Sequence, residues 1–289
     1  MYLNITMIGS NGNLIMTDLG LTRHNHSYIS FFLPEAVERQ KQLTKLFLDT
    51  PNPYRKNIRP ADDPTIAICE IENEKTFVAT FQMNHPSDWR KLPPKVRKEL
   101  YMLWSNYLKN KYGSIEKMKK TWGLASLKLQ LKPGISKESF ENIEFPSTWK
   151  IDGWGKDNSD FKVKLDDLRV TSASYGKLKN SNPHVSDGLE FMYVIYRDYL
   201  KNMYAYIRSL GYKGIITANG PDCELFYSQR AAANEVLDAV SGGTGYWNRR
   251  GYGFLRGIGW LSALVYFAAS DKPIIAREYG ANLQHENCW

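Results

Sequence analysis

What most constrains this chain is an alternation of short runs rich in Ile, Val and Ala with longer amphipathic stretches, repeated in the order strand then helix. Strands joined through helical crossovers run in one direction, so the order selects a parallel sheet covered by helices. Tyr2–Met7 reads as a strand and Pro34–Asp49 as a helix opened by proline. Thr65–Ile71 reads as a strand too apolar to face water, and Pro94–Lys111 as a helix with Val96, Leu100, Leu103 and Tyr107 on one face. Further on, Glu190–Leu210 reads as a long helix ended by Gly211, Gly214–Ala218 and Val236–Val240 as strands, Phe254–Ala269 as a helix and Pro273–Ala276 as a last strand. From Leu124 to Asp187 the pattern gives way to polar sequence dotted with glycine and lysine, too long for an ordinary connection. With no internal repeat and no abrupt shift of composition, the expectation is a single domain over 1–289 with a loop insertion at about 124–187.

Composition narrows the function classes. A chain of 289 residues, 43% hydrophobic and 24% charged, is ordinary globular material for one sizeable core. No stretch approaches the roughly 18 apolar residues of a membrane helix, so no membrane partner is expected. The N-terminus lacks the layout of a signal peptide, and location cannot be read from the sequence. The net charge of +8 raises the question of nucleic acid, but the lysines are spread along helices rather than gathered into an arm, which reads as a solvated surface. Cys69, Cys223 and Cys288 stand far apart, and His24 and His26 have no carboxylate or cysteine at ligand spacing. Neither a metal nor another cofactor is expected.

In parallel β/α folds the active site lies at the carboxyl ends of the strands, so polar residues that close an apolar strand carry the chemistry. Two glutamates do so: Glu74, at the end of Thr65-Ile66-Ala67-Ile68-Cys69-Glu70-Ile71-Glu72-Asn73-Glu74, and Glu278, after Pro273-Ile274-Ile275-Ala276-Arg277. A carboxyl pair on one rim suits glycosidic bond cleavage, in which one group protonates the leaving oxygen and the other attacks the anomeric carbon. Strict alternation puts Glu70, Glu72 and Glu74 on the same side, and position at the rim favours Glu74. The alternative is that these glutamates cap helices or sit in salt bridges. Asn219, which closes another strand, fits either a ligand contact or a turn. Tyr246 and Trp247 follow Gly242-Gly243-Thr244-Gly245 and fit either stacking on a sugar ring or core packing.

Asn52-Pro53-Tyr54, Ala61-Asp62-Asp63-Pro64 and the strand end Glu72-Asn73-Glu74 resemble bacterial cellulase-like glycoside hydrolases of clan A, the family 5 type. Trp104 to Trp122, with Tyr112-Gly113-Ser114, is similar to the segment after their acid/base strand, and Arg277-Glu278-Tyr279-Gly280 to their nucleophile strand. The resemblance implies a TIM (β/α)8 barrel of which about strands 3 to 7 are present, truncated at both ends. It implies a retaining β-glycosidase acting on an oligo- or polysaccharide, with Glu74 as acid/base, Glu278 as nucleophile and Asn73 on the sugar 2-hydroxyl. Asn219, Tyr246, Trp247 and Tyr279 are then further substrate contacts. One departure stands out: the family's strand before the nucleophile carries a histidine two residues before an aromatic, and Thr244-Gly245-Tyr246-Trp247 has none. The competing expectation is a catalytically silent, carbohydrate-binding barrel fragment.

Overall fold

A computed structural model of the chain describes residues 3–6, 27–73, 92–145, 151–152, 163–164, 183–220, 235–243 and 272–277. In chain order its elements are strand β1 (Leu3–Thr6), helix α1 (Pro34–Asp49), β2 (Ile66–Asn73), α2 (Pro94–Tyr112), α3 (Ile115–Trp122), β3 (Ile151–Asp152), β4 (Val163–Lys164), α4 (Pro183–Ser209), β5 (Ile215–Gly220), β6 (Val240–Gly243) and β7 (Ile274–Arg277). They fall into two compact units, one of Met1–Thr76 with Ile195–Trp289, the other of Phe77–Val194.

The first unit is built on a five-stranded sheet in the order β1-β2-β5-β6-β7, with every pairing parallel. The strands follow one another across the sheet as they follow one another in the chain, without the reversal that marks a doubly wound sheet. The expected α/β class and its parallel sheet are therefore present. Among the described residues β1 and β7 are the edges, and no pairing between them closes a barrel. The expected helix Phe254–Ala269 lies outside the described residues.

Helix α1 has the predicted bounds because Pro34, at its first turn, gives up no hydrogen bond there. It turns Ala36, Gln40, Thr44 and Leu48 inward, an unusual stripe in that half of it is polar. In the sheet, Cys69 and Ile71 of β2 and Ile216 and Ala218 of β5 are buried, as strands covered on both faces require.

The amino ends of the strands are tied by one polar cluster. Arg208, near the end of α4, donates to the carbonyls of Tyr212 and Gly214 at 2.9 and 2.8 Å and to the Asp238 carboxylate. Asp238 also accepts from the Ile216 amide at 2.7 Å and from the Tyr204 hydroxyl at 2.8 Å. This explains a shifted boundary: Val236–Val240 has strand-like composition, yet the strand starts only at Val240, because Asp238 bonds Ile216 through its side chain and its own amide. Gly214 sits where β5 enters against β2, and a Cβ there would lie 2.8 Å from the Ala67 carbonyl oxygen and 2.7 Å from Cζ of Tyr212. We expect Gly214→Ala to destabilise the first unit by about 1–3 kcal/mol, read as a lower urea midpoint, since the obstacles include backbone of β2 as well as the Tyr212 side chain. An unchanged midpoint would contradict this packing.

The second unit holds α2, α3, the β3–β4 pair and α4 as far as Val194. Val96, Leu100, Trp104 and Leu108 of α2 are buried, one residue round the helix from the expected Leu103 and Tyr107. Trp104 is fully buried against Phe145 and Phe191, with ring centroids 5.4 and 5.3 Å away. The Ser114 side chain caps α3 by accepting from the Lys117 amide, and Gly123, at φ 69°, ends it. The polar run Pro183–Asp187, expected to close an insertion, is instead the first turn of α4 and a little more. Its Asp187 is buried and accepts from Lys111 Nζ at 2.8 Å, Tyr112 Oη at 2.5 Å and Trp122 Nε1 at 2.9 Å. Three donors from two helices converge on one carboxylate. Asp187→Ala should therefore cost about 3 kcal/mol or more, lowering the melting temperature and exposing the amides of α2 and α3 to hydrogen exchange. Exchange rates unchanged in those helices would remove Asp187 from this role.

Candidate active site

Of the residues singled out from the sequence, Glu74, Tyr246, Trp247, Glu278 and Tyr279 lie outside the described residues. Asn73 and Asn219 lie within them, at the carboxyl ends of β2 and β5, and they are partners in register. The row they define continues across the sheet, since Asn219 pairs with Ser241 of β6 and Ser241 with Ile275 of β7. Beyond this row come Gly220, Gly242 and Ala276, side by side, and then Gly243 beside Arg277. Glu74 is the next residue of the chain after Asn73, and Glu278 the next after Arg277. In the sequence the two expected candidates thus come directly after strands of one parallel sheet.

Below that row the sheet is polar at an unexpected depth. Glu70 and Glu72 are fully buried, as is Thr217, which faces Glu70 in register and donates to the Ala239 carbonyl at 3.0 Å. Glu72 accepts a 2.5 Å hydrogen bond from the Tyr196 hydroxyl of α4. Burial, reinforced by Glu72 itself, holds the Tyr196 hydroxyl well above the ordinary tyrosine range, so it stays a donor. One turn on, burial likewise keeps Tyr199 protonated, and it donates to Gln40 Oε1 at 2.8 Å. The Gln40 amide in turn donates to the Ile71 carbonyl at 3.3 Å.

Pairing between β2 and β5 is irregular at this point. Glu70 faces Thr217 and Asn73 faces Asn219, so three steps along β2 match two along β5. The strict alternation expected along the strand is therefore interrupted by one extra residue between Glu70 and Asn73. Burial of Glu70 and Glu72 also separates them from a role at an open rim. Sequence reasoning did not single out Gln40, Tyr196 or Tyr199. The available signal was the polar half of the α1 stripe, where Gln40 and Thr44 occupy positions spaced for the core. Among the described residues no group of three His, Cys, Asp or Glu side chains is placed to hold a metal ion, and no helix is long and apolar enough to cross a membrane.

No family model matches the chain, and none of the curated proteins does. Among solved structures it is similar to a β-galactosidase from the psychrophilic Marinomonas ef1, at 15% identity and TM-score 0.45 over 77% of this chain and 26% of that one. It is also similar to the β-galactosidase of the Antarctic haloarchaeon Halorubrum lacusprofundi, at 15% identity and TM-score 0.46 over 76% and 25%. An exo-β-agarase matches at 17% identity and TM-score 0.44 over 86% and 26%. The chain spans about a quarter of the length of these structures.

Cys69, one residue before Glu70, offers the described part of the sheet a possible nucleophile, and its environment argues against that use. It is fully buried, and burial, with the Glu70 charge adding to it, pushes the thiol up to about 12. We expect the Cys69 peptide to escape alkylation by iodoacetamide at pH 8 in the folded protein and to react fully in urea, as peptide mass spectrometry would read. Alkylation at native conditions would contradict the burial.

Proposed function

We propose that this chain carries the catalytic sheet of a retaining β-glycosidase that hydrolyses a β-linked oligo- or polysaccharide, with Glu74 as acid/base and Glu278 as nucleophile. The observation that carries the reading is the register of the parallel sheet. It sets Asn73 beside Asn219 at the carboxyl ends of the strands, where such folds hold their chemistry, and in the sequence Glu74 and Glu278 come directly after the last described residues of β2 and β7.

Distance sets a condition on this arrangement. β2 and β7 are separated by β5 and β6, and in a flat sheet three inter-strand steps of about 4.8 Å leave their backbones about 14 Å apart. Direct nucleophilic attack with retention needs the two carboxyl groups about 5–5.5 Å apart. The strand ends must therefore curl towards each other, as strands of a β/α barrel do. Glu278 follows the Asn73-Asn219-Ser241-Ile275 row by three residues and Glu74 by one. An offset of two residues over three strands is of the size that strand tilt takes up in an eight-stranded barrel, where the stagger is about one residue per strand.

The chemistry is balanced by these two side chains and water. The Glu278 carboxylate attacks the anomeric carbon while the proton of the Glu74 carboxyl passes to the departing glycosidic oxygen. A water molecule then attacks the glycosyl ester, returns its proton to Glu74 and releases Glu278 as carboxylate. Asn73, immediately before the acid/base, is the proposed donor to the 2-hydroxyl, and Asn219, Tyr246, Trp247 and Tyr279 are the proposed further sugar contacts. A carbohydrate is the proposed partner, and the reaction uses no cofactor.

The test is hydrolysis of a panel of β-linked oligosaccharides and aryl β-glycosides, with the first-formed anomer followed by NMR. The expected result is a β-configured first product. Glu74→Gln should lower kcat/KM on poor leaving groups by about 10²–10⁴-fold, and Glu278→Gln should lose turnover on every substrate. Wild-type protein that binds sugars without cleaving any of the panel, or variants as active as wild type, would overturn the catalytic reading and leave a carbohydrate-binding protein.

A further inference from the structure

The broken register of β2 has a specific set of supports. A bulge leaves part of a strand's ladder unmade, and the backbone groups it frees need other partners. Here the Ile71 carbonyl, inside the irregular stretch between Glu70 and Asn73, accepts from the Gln40 side chain of α1. Gln40 is fixed by Tyr199 of α4, and the neighbouring Glu72 side chain accepts from Tyr196 of the same helix. Gln40, Glu72, Tyr196 and Tyr199 are all buried, and the two tyrosine rings pack on Phe31 at centroid distances of 4.8 and 5.0 Å. Two helices therefore grip two consecutive residues, Ile71 and Glu72, immediately before Asn73-Glu74.

A buried polar cluster of this kind is a poor device for stability alone. Carboxylates cost several kcal/mol to desolvate, and apolar side chains of similar volume would serve a core at least as well. It does suit positioning, because hydrogen bonds fix direction where apolar packing fixes only volume. Bulges are over-represented beside active sites, where one extra residue re-aims the side chains that follow. A misplacement of about 1 Å at a reacting group can lower a rate about a hundredfold.

From this we infer that Tyr196 and Gln40 are positioning residues: through Glu72 and the Ile71 carbonyl they hold the β2 bulge and so aim Glu74 at the glycosidic oxygen. The inference rests on the proposed glycosidase reading. It predicts a defect in proton donation specifically, which a general loss of stability does not produce.

The experiment compares two β-glycosides of the sugar that wild type hydrolyses, one with a 2,4-dinitrophenyl leaving group, which departs without a proton, and one with a phenyl group, which needs one. Tyr196→Phe keeps the ring on Phe31 and removes only the hydroxyl, and Gln40→Met keeps the volume and removes the amide. Both are expected to lose about tenfold to a hundredfold in kcat/KM, which reports the glycosylation step, on the phenyl glycoside, and less than about threefold in kcat/KM on the dinitrophenyl glycoside. Arg208→Lys, at the opposite end of the sheet, serves as the control for stability and should leave the ratio of the two rates at its wild-type value. A wild-type ratio in Tyr196→Phe and Gln40→Met would overturn the positioning role. If Glu74→Gln itself showed no leaving-group dependence, the acid/base assignment would fail instead, so the two failures are told apart.

Discussion

Parallel pairing of β2 with β5 is the constraint on which the rest of the first unit depends. Ile68, Cys69 and Glu70 lie against Ile215, Ile216 and Thr217 in regular register, and the sheet grows outward from that pair to β1 on one side and to β6 and β7 on the other. The two ends of the pair are held differently. At the amino end, Arg208 and Asp238 tie α4, the entry to β5 and the approach to β6 into one charged cluster. Towards the carboxyl end, regular pairing stops after Glu70, and buried side chains of α1 and α4 take over as partners of the strand. This division fits a β/α sheet in which one end serves stability and the other chemistry.

Much of this was legible in the sequence, for reasons that differ from element to element. The bounds of α1 follow from Pro34 and from the spacing of its buried positions, both local properties. The apolar run through Ile71 announced β2, and its extension to Asn73 is where tertiary contacts prolong it. The start of β6 was not legible. Val236, Leu237 and Ala239 have strand-like composition, and that segment stays out of the ladder where Asp238, through its side chain and its amide, bonds a residue more than twenty positions earlier. The same holds for Pro183–Asp187, whose composition reads as a loop and whose helical state is held by Lys111, Tyr112 and Trp122 meeting at Asp187.

The candidate site shows the same split. That polar residues close β2 and β5 is a sequence-level fact, and their pairing across the sheet follows from register. The bulge could not be read, because period-2 alternation presumes an unbroken ladder, and the break depends on Gln40 and Tyr196, which stand far from β2 in the chain. Alternation in the sequence likewise does not separate Glu70 and Glu72 from Glu74, and it gives no sign that the first two are fully buried. Their depth comes from helices packed over the strand.

The central claim is that Glu74 and Glu278 meet across one strand edge, and the measurement that tests it most directly is the separation of their carboxyl groups in a crystal structure of the chain with a bound sugar. The account predicts about 5–5.5 Å, with both groups facing the anomeric carbon. A separation beyond about 10 Å, or either carboxylate turned away into a salt bridge, would contradict it.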